Sequence, residues 1–121
     1  MKKLLVFVAV SEGALAVILL VYPPIVIRLL FNSEIAGPGV WVSRFAGIAL
    51  IGLAVACWPD SNPVRAFYGM LTYSTLSMLY LANVGVNGGM GILLWPVVAV
   101  HATLSILLVR AWRTERKNTV V

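Results

Sequence analysis

The sequence has little of what most enzymes use for catalysis. It contains one cysteine (Cys57), one histidine (His101) and four acidic residues among 121. A single cysteine excludes an internal disulfide and a cysteine-based metal cluster within one chain. Zinc-protease, serine-hydrolase and phosphate-loop motifs are absent, and three of the four acidic residues lie outside the apolar runs described below, which leaves no carboxylate pair for acid–base chemistry. These absences argue against an enzyme and predict no cofactor or metal.

Charged residues are also scarce. They make up 11% of the chain, against about 25% in an ordinary soluble domain, whereas hydrophobic residues make up 61%. A soluble fold of this size cannot cover so much apolar surface, so the composition predicts a membrane protein.

Four apolar runs account for most of the chain. They cover residues 4–22, 40–58, 66–84 and 91–109, and each has 19 residues. As a helix, such a run is about 28 Å long, close to a hydrocarbon core of about 30 Å. The first run continues well beyond its signal-peptide-like start, which favours an uncleaved span. We therefore predict an all-α, integral membrane four-helix bundle that forms a single domain over 1–121.

The net charge of +5 comes from basic residues at the ends of these runs. A chain that starts in the cytoplasm and crosses four times keeps most of them on the cytoplasmic side, as the positive-inside rule requires. Both termini are then cytoplasmic at a bacterial inner membrane, and the tail attracts anionic lipid headgroups. We expect membrane lipids as partners and no nucleic acid. The topology residues are Lys2, Lys3, Arg65, Arg110, Arg113, Arg116 and Lys117.

The links between the runs carry clear turn signals. Prolines at 23–24 end the first helix, and residues 25–31 form a short amphipathic segment in the first external loop. This segment either lies at the membrane interface or packs over the mouth of the bundle. The segment 59–63 predicts a tight turn, with Asn62 as N-cap, that makes an antiparallel hairpin of the second and third helices. Pro96 either kinks the fourth helix or starts it.

Small residues indicate where helices approach each other closely. In the second run, Ala49, Gly52 and Ala56 recur at helical spacing and predict a contact face. In the first run, several small residues share a face with Glu12, which therefore points into protein. Insertion of a charged residue at the bilayer centre costs roughly 2.5 to 3.5 kcal/mol, so such a residue needs a partner.

Arg44 and His101 are the candidate partners of Glu12. Helix rise separates the Arg44 and Glu12 backbones by about 9 Å in depth. Arg44 therefore pairs with Glu12, extends outward to the headgroups or takes part directly in ligand binding. His101 lies at nearly the depth of Glu12. It is either a core residue, hydrogen-bonded for instance to Ser105, or a group for proton exchange or ligand contact; a lone histidine is a weak haem signal.

The third helix presents a polar face at near-helical spacing. Interhelical hydrogen bonds explain this face, and the alternative is a small polar cavity shared with Glu12, Arg44 and His101. The residues of the face are Thr72, Tyr73, Ser77, Tyr80 and Asn83.

Three segments of the sequence resemble those of small bacterial four-helix membrane proteins. They are residues 24–31, 44–50 and 94–102. That likeness covers most of the chain and implies fold and topology, but the group brings no assigned activity. The architecture is also similar to that of small multidrug resistance transporters, which have four helices and one glutamate in the first. The segment 10–14 around Glu12 departs from that family's motif, and its downstream lysine is missing, so the likeness is architectural.

Three functions are compatible with these features. The first is a non-catalytic accessory subunit or small-molecule-binding membrane protein, with other membrane subunits or its own copies as partners. The second is a homodimeric, proton-coupled small-molecule transporter that uses Glu12. The third is a redox or enzymatic subunit that uses His101.

Overall fold

The computed structural model describes residues 1–88 and 91–119, and these form five α-helices. The all-α prediction is confirmed, and four of the helices overlap the four predicted spans. The last helix continues to Thr119, so most of the basic tail is helical. In chain order the helices are α1 (Lys2–Val21), α2 (Pro23–Phe31), α3 (Pro38–Ala56), α4 (Val64–Val86) and α5 (Leu94–Thr119).

Three of the described helices, α1, α3 and α5, are long and apolar enough to cross a membrane. The helix α4 has 23 residues but does not meet that criterion, because its polar face lowers its hydropathy. Many large apolar side chains, such as Phe7, Phe45 and Ile106, are more than half exposed, which suits a surface that faces lipid. By helix length and composition, this is a small helical membrane protein.

Proline and asparagine define the helix ends much as the sequence predicts. After α1, Pro23 begins α2 directly, since a proline at the first helical position lacks an N–H that would be unpaired anyway. The α4 helix begins at Val64, whose N–H donates to Asn62 Oδ1 at 3.2 Å, one residue later than predicted. Pro96 lies in the first turn of α5, so it starts this helix and does not kink it.

The helices pack as two pairs, α1 with α3 and α4 with α5. Consecutive helices α3 and α4 make almost no contact, so the predicted antiparallel hairpin is wrong. The reason is that α3 packs closely on α1 instead. The two helices are so close that even a Cβ atom at Gly47 would lie only 2.9 Å from the Ala16 carbonyl oxygen. Within the described chain, no other helix packs on the predicted contact face of α3, because Ala49 and Ala56 are exposed and Gly52 has open space around it. Contact of this face with a second copy stays a prediction.

The two pairs meet at one end of the bundle, which we call the closed end. There the first half of α1, the start of α4 and the middle of α5 share a hydrophobic core with the C-cap of α3. The Met1 amino group also pairs with the Glu115 carboxylate at 3.2 Å. We call the opposite end, where α2 lies, the open end. The buried core residues are Leu5, Val8, Ala9, Cys57, Ala66, Phe67, Met70, Leu104 and Leu108.

Candidate functional site: a cavity towards the open end

The short helix α2 joins the two helix pairs at the open end. It follows α1 after a single residue, and its last turn accepts two backbone hydrogen bonds from the segment before α5. The Gly91 N–H donates to the Leu30 carbonyl at 3.0 Å, and the Leu93 N–H donates to the Leu29 carbonyl at 2.8 Å. The last carbonyls of a helix lack partners within it, so these bonds satisfy them. A side chain at Gly91 would overlap both carbonyls, which explains the glycine.

A cavity of about 690 Å³ lies between the two helix pairs, with α2 as one wall. Its size is within the range of about 300–1,000 Å³ that is usual for small-molecule pockets. All five helices contribute apolar side chains, among them Leu19, Val26, Leu50, Leu81 and Val97. The cavity therefore combines an apolar wall with a few polar groups, which are Ser43, Tyr73, Ser77, Tyr80 and His101.

Glu12 lies between the core of the closed end and this cavity. It is 6% exposed, and its Oε2 accepts a hydrogen bond from the Tyr73 hydroxyl at 3.0 Å. Among the described residues no cation pairs with it. The expectation that Glu12 points into protein is confirmed, and its partner is a neutral hydroxyl group on α4.

His101 contacts the same tyrosine. The two rings meet edge to face, with centroids 5.7 Å apart, and His101 is 5% exposed. Its Nδ1 is buried and has no hydrogen-bond partner in the part of the chain that the structure describes. The predicted bond to Ser105 is not formed by the imidazole, because the Ser105 hydroxyl donates to the His101 backbone carbonyl at 2.9 Å. Glu12, Tyr73 and His101, from three helices, thus form one polar cluster, which we call the midplane cluster.

Arg44 is not part of the midplane cluster. It is exposed on α3, and the predicted ion pair with Glu12 is not formed. Successive residues of a helix are turned by about 100°, and the preceding residue, Ser43, is the one that lines the cavity. The outward path of the Arg44 side chain to the headgroups stays a prediction.

The polar face of α4 is divided between two environments. Tyr73, Ser77 and Tyr80 line the cavity, and Tyr73 bonds to another helix. Asn83 is exposed near the end of α4, where its Oδ1 accepts a hydrogen bond from the Asn87 side chain at 3.1 Å. Three residues of the polar face thus line the cavity, as the cavity alternative predicts. Tyr73 is the one among them that also forms a hydrogen bond to another helix.

The sequence did not single out two serines, one in the cavity wall and one buried elsewhere on α4. Ser43 lines the cavity, and Ser74 is fully buried with no partner for its hydroxyl among the described residues. Ser74 follows the buried Met70 by four positions, a spacing that indicates the same helix face. The seven basic topology residues are all exposed, and their place on one side of the membrane stays a prediction.

Comparison of the chain with protein-family models, curated proteins and solved structures gives no match. Function is therefore inferred from the cavity and the midplane cluster.

Proposed function

We propose that this protein is a non-catalytic membrane protein that binds a small, mostly apolar molecule in the cavity. The observation that carries the proposal is an apolar space of about 690 Å³ with a few polar groups on its wall. His101 supports it, because its imidazole lines the cavity and places a polar group in a wall that is otherwise mostly apolar.

The lining defines the chemistry of the ligand. It contains hydroxyl groups from serine and tyrosine and one imidazole, but no lysine, arginine or carboxylate. A fully charged molecule would lose its hydration there without a countercharge. The expected ligand has a hydrophobic body and one neutral polar group, such as a hydroxyl or a carbonyl, that reaches His101 or Tyr73.

We also propose that α4 crosses the membrane together with α1, α3 and α5, with both termini in the cytoplasm of a bacterium. Support comes from the exposed basic residues near the closed end and the positive-inside rule. In this orientation the cavity lies in the outer half of the membrane. The amphipathic helix α2 then lies near the outer surface, where its Arg28 pairs with the exposed Glu34.

The test is purification in native lipid particles, followed by mass spectrometry of the small molecules that remain bound. Ala49→Phe places a ring in the cavity, whereas Ala56→Phe makes the same change on α3 outside it. We expect one molecule class to accompany the wild type and Ala56→Phe and to be lost from Ala49→Phe. If wild type and Ala49→Phe carry the same molecules, the cavity is not the binding site.

A second candidate function is a proton-coupled transporter that uses Glu12. It is favoured by one observation: the carboxyl group is buried against a neutral hydroxyl, with no cation among the described residues. Ionisable groups inside membranes are typical of proton pathways. Two copies of the chain would surround a larger chamber at the midplane.

This candidate is tested with proteoliposomes and the dye ethidium, a permanent cation that binds no proton itself and stacks on aromatic rings. We expect a pH gradient to drive ethidium uptake by the wild type, and Glu12→Gln to abolish it. Glu34→Gln, at an exposed position, is the matched control and should transport normally. Equal uptake by Glu12→Gln and the wild type would exclude the mechanism.

A further inference from the structure

A second, smaller groove lies on the surface of the α4–α5 pair, away from the main cavity. Its volume is about 480 Å³, and it has an apolar part and a basic end. Leu71 from α4 and Ile106 and Val109 from α5 form the apolar part, and Arg110 and Arg113 form the basic end. Hydrophobic and cationic surfaces are thus continuous within one groove.

The two arginines are available to bind an anion. They are three residues apart on α5 and so lie on the same side of the helix, one turn apart. Both are exposed, and neither forms an ion pair with any residue that the structure describes. A guanidinium group binds phosphate oxygens through two parallel hydrogen bonds, so this pair is suited to a phosphate group.

The groove reaches from the arginines towards the middle of the bundle. Thr75 and Ser105 lie at its deeper part, with their hydroxyl oxygens 3.4 Å apart. By helix rise, Ser105 is about 7.5 Å deeper than Arg110. The groove therefore has a cationic group near the membrane surface and an apolar path below it, in the order in which a lipid presents its headgroup and its chains.

We propose that this groove binds one anionic glycerophospholipid of the leaflet at the closed end. Its phosphate contacts Arg110 and Arg113, and the first part of one acyl chain lies along Leu71, Ile106 and Val109. Charge complementarity selects the anionic headgroup, and the apolar part selects a lipid over a free phosphate ion. The inference requires insertion in a bilayer but not the function proposed for the main cavity.

The experiment is native mass spectrometry of the full chain in detergent, titrated with phosphatidylglycerol or with zwitterionic phosphatidylcholine. We expect phosphatidylglycerol to bind the wild type more tightly. Arg110→Gln with Arg113→Gln should weaken its binding by about tenfold or more. Lys2→Gln with Lys3→Gln removes the same charge outside the groove and should change binding by less than about threefold. Equal losses in the two double variants, or equal binding of both lipids, would overturn the proposal.

A second pair of variants tests the apolar part while leaving the charges in place. Ile106→Trp fills the groove, and Leu107→Trp adds the same ring to a neighbouring residue outside it. We expect phosphatidylglycerol binding to weaken in Ile106→Trp alone, and inorganic phosphate not to displace the lipid. If Ile106→Trp binds like the wild type, or phosphate competes, only a headgroup contact exists and the groove is not a lipid site. Ile106→Ala replaces Ile106→Trp if circular dichroism shows that the tryptophan disturbs folding.

Discussion

Glu12 shows how one buried carboxyl group restricts its surroundings. Burial of a polar group in an apolar interior without a hydrogen-bond partner costs several kcal/mol of folding free energy. Some neighbouring helix must therefore supply a hydrogen-bond donor to Glu12. The sequence offers Arg44 and His101 as candidates, but the donor is the hydroxyl of Tyr73. Tyr73 also contacts His101, so a single side chain of α4 organises the midplane cluster.

The hydroxyl of Tyr73 should therefore contribute measurably to stability. Tyr73→Phe keeps the ring but leaves Glu12 Oε2 without its donor, and we expect a loss of about 1–3 kcal/mol in the free energy of unfolding. Unfolding in detergent, followed by circular dichroism, measures it. Tyr80→Phe is the control, since Tyr80 is 65% exposed and its change should stay below about 0.5 kcal/mol. Equal effects of the two variants would show that the bond to Glu12 does not stabilise the fold.

At the scale of helices, two glycines decide which elements touch. Gly47 lets α3 approach the backbone of α1, and Gly91 lets the segment before α5 approach the end of α2. The first contact forms the α1–α3 pair, and the second fastens α2 to the other pair through backbone hydrogen bonds. At the open end α3 and α4 do not pack together, which leaves a space between the two helix pairs. The helix α2 connects the pairs there and forms one wall of the cavity.

The contact at Gly47 predicts a contrast between two glycines of the same helix. Gly47→Ala places a methyl group against the Ala16 carbonyl, and we expect it to cost about 1–3 kcal/mol through overpacking. Gly52→Ala meets open space and should be neutral, or stabilise the helix by about 0.5–1 kcal/mol. Thermal unfolding in detergent compares the two variants. A Gly47→Ala protein as stable as Gly52→Ala would contradict the close approach.

At the scale of the molecule, the bundle is two helix pairs that are closed at one end and separated at the other. The closed end has an apolar core, and the Met1 amino group and Glu115 meet there. An even number of crossings would bring both of these groups to one side of a membrane, as the proposed topology requires. We therefore expect α4 to cross as well, even though its polar face lowers its hydropathy.

Membrane-impermeant maleimide labelling of intact cells tests this topology. In a Cys57→Ser background, Ser61→Cys lies in the turn before α4, and Asn87→Cys lies directly after this helix. We expect Asn87→Cys to react from outside, and Ser61→Cys and Asn118→Cys to react only after the cells are opened. If positions 61 and 87 are labelled from the same side, α4 does not cross and the four-span topology is wrong.

Sequence alone determined the properties that depend on composition and local order. Long apolar runs require helices in a bilayer, because the backbone can then bond only within itself. Prolines and Asn62 mark helix ends, since their effects act over a few residues. The burial of Glu12 also followed from its position in an apolar run.

Only the tertiary structure decided which helices pair and which side chains meet. Polar groups at similar depth, such as His101 and Tyr73, are equal candidates until the rotation of each helix about its axis is known. That rotation is set by non-local contacts such as Gly47 against α1. The cavity has the same origin, because it is the space left where two well-packed pairs separate, and no local pattern encodes a space between helices.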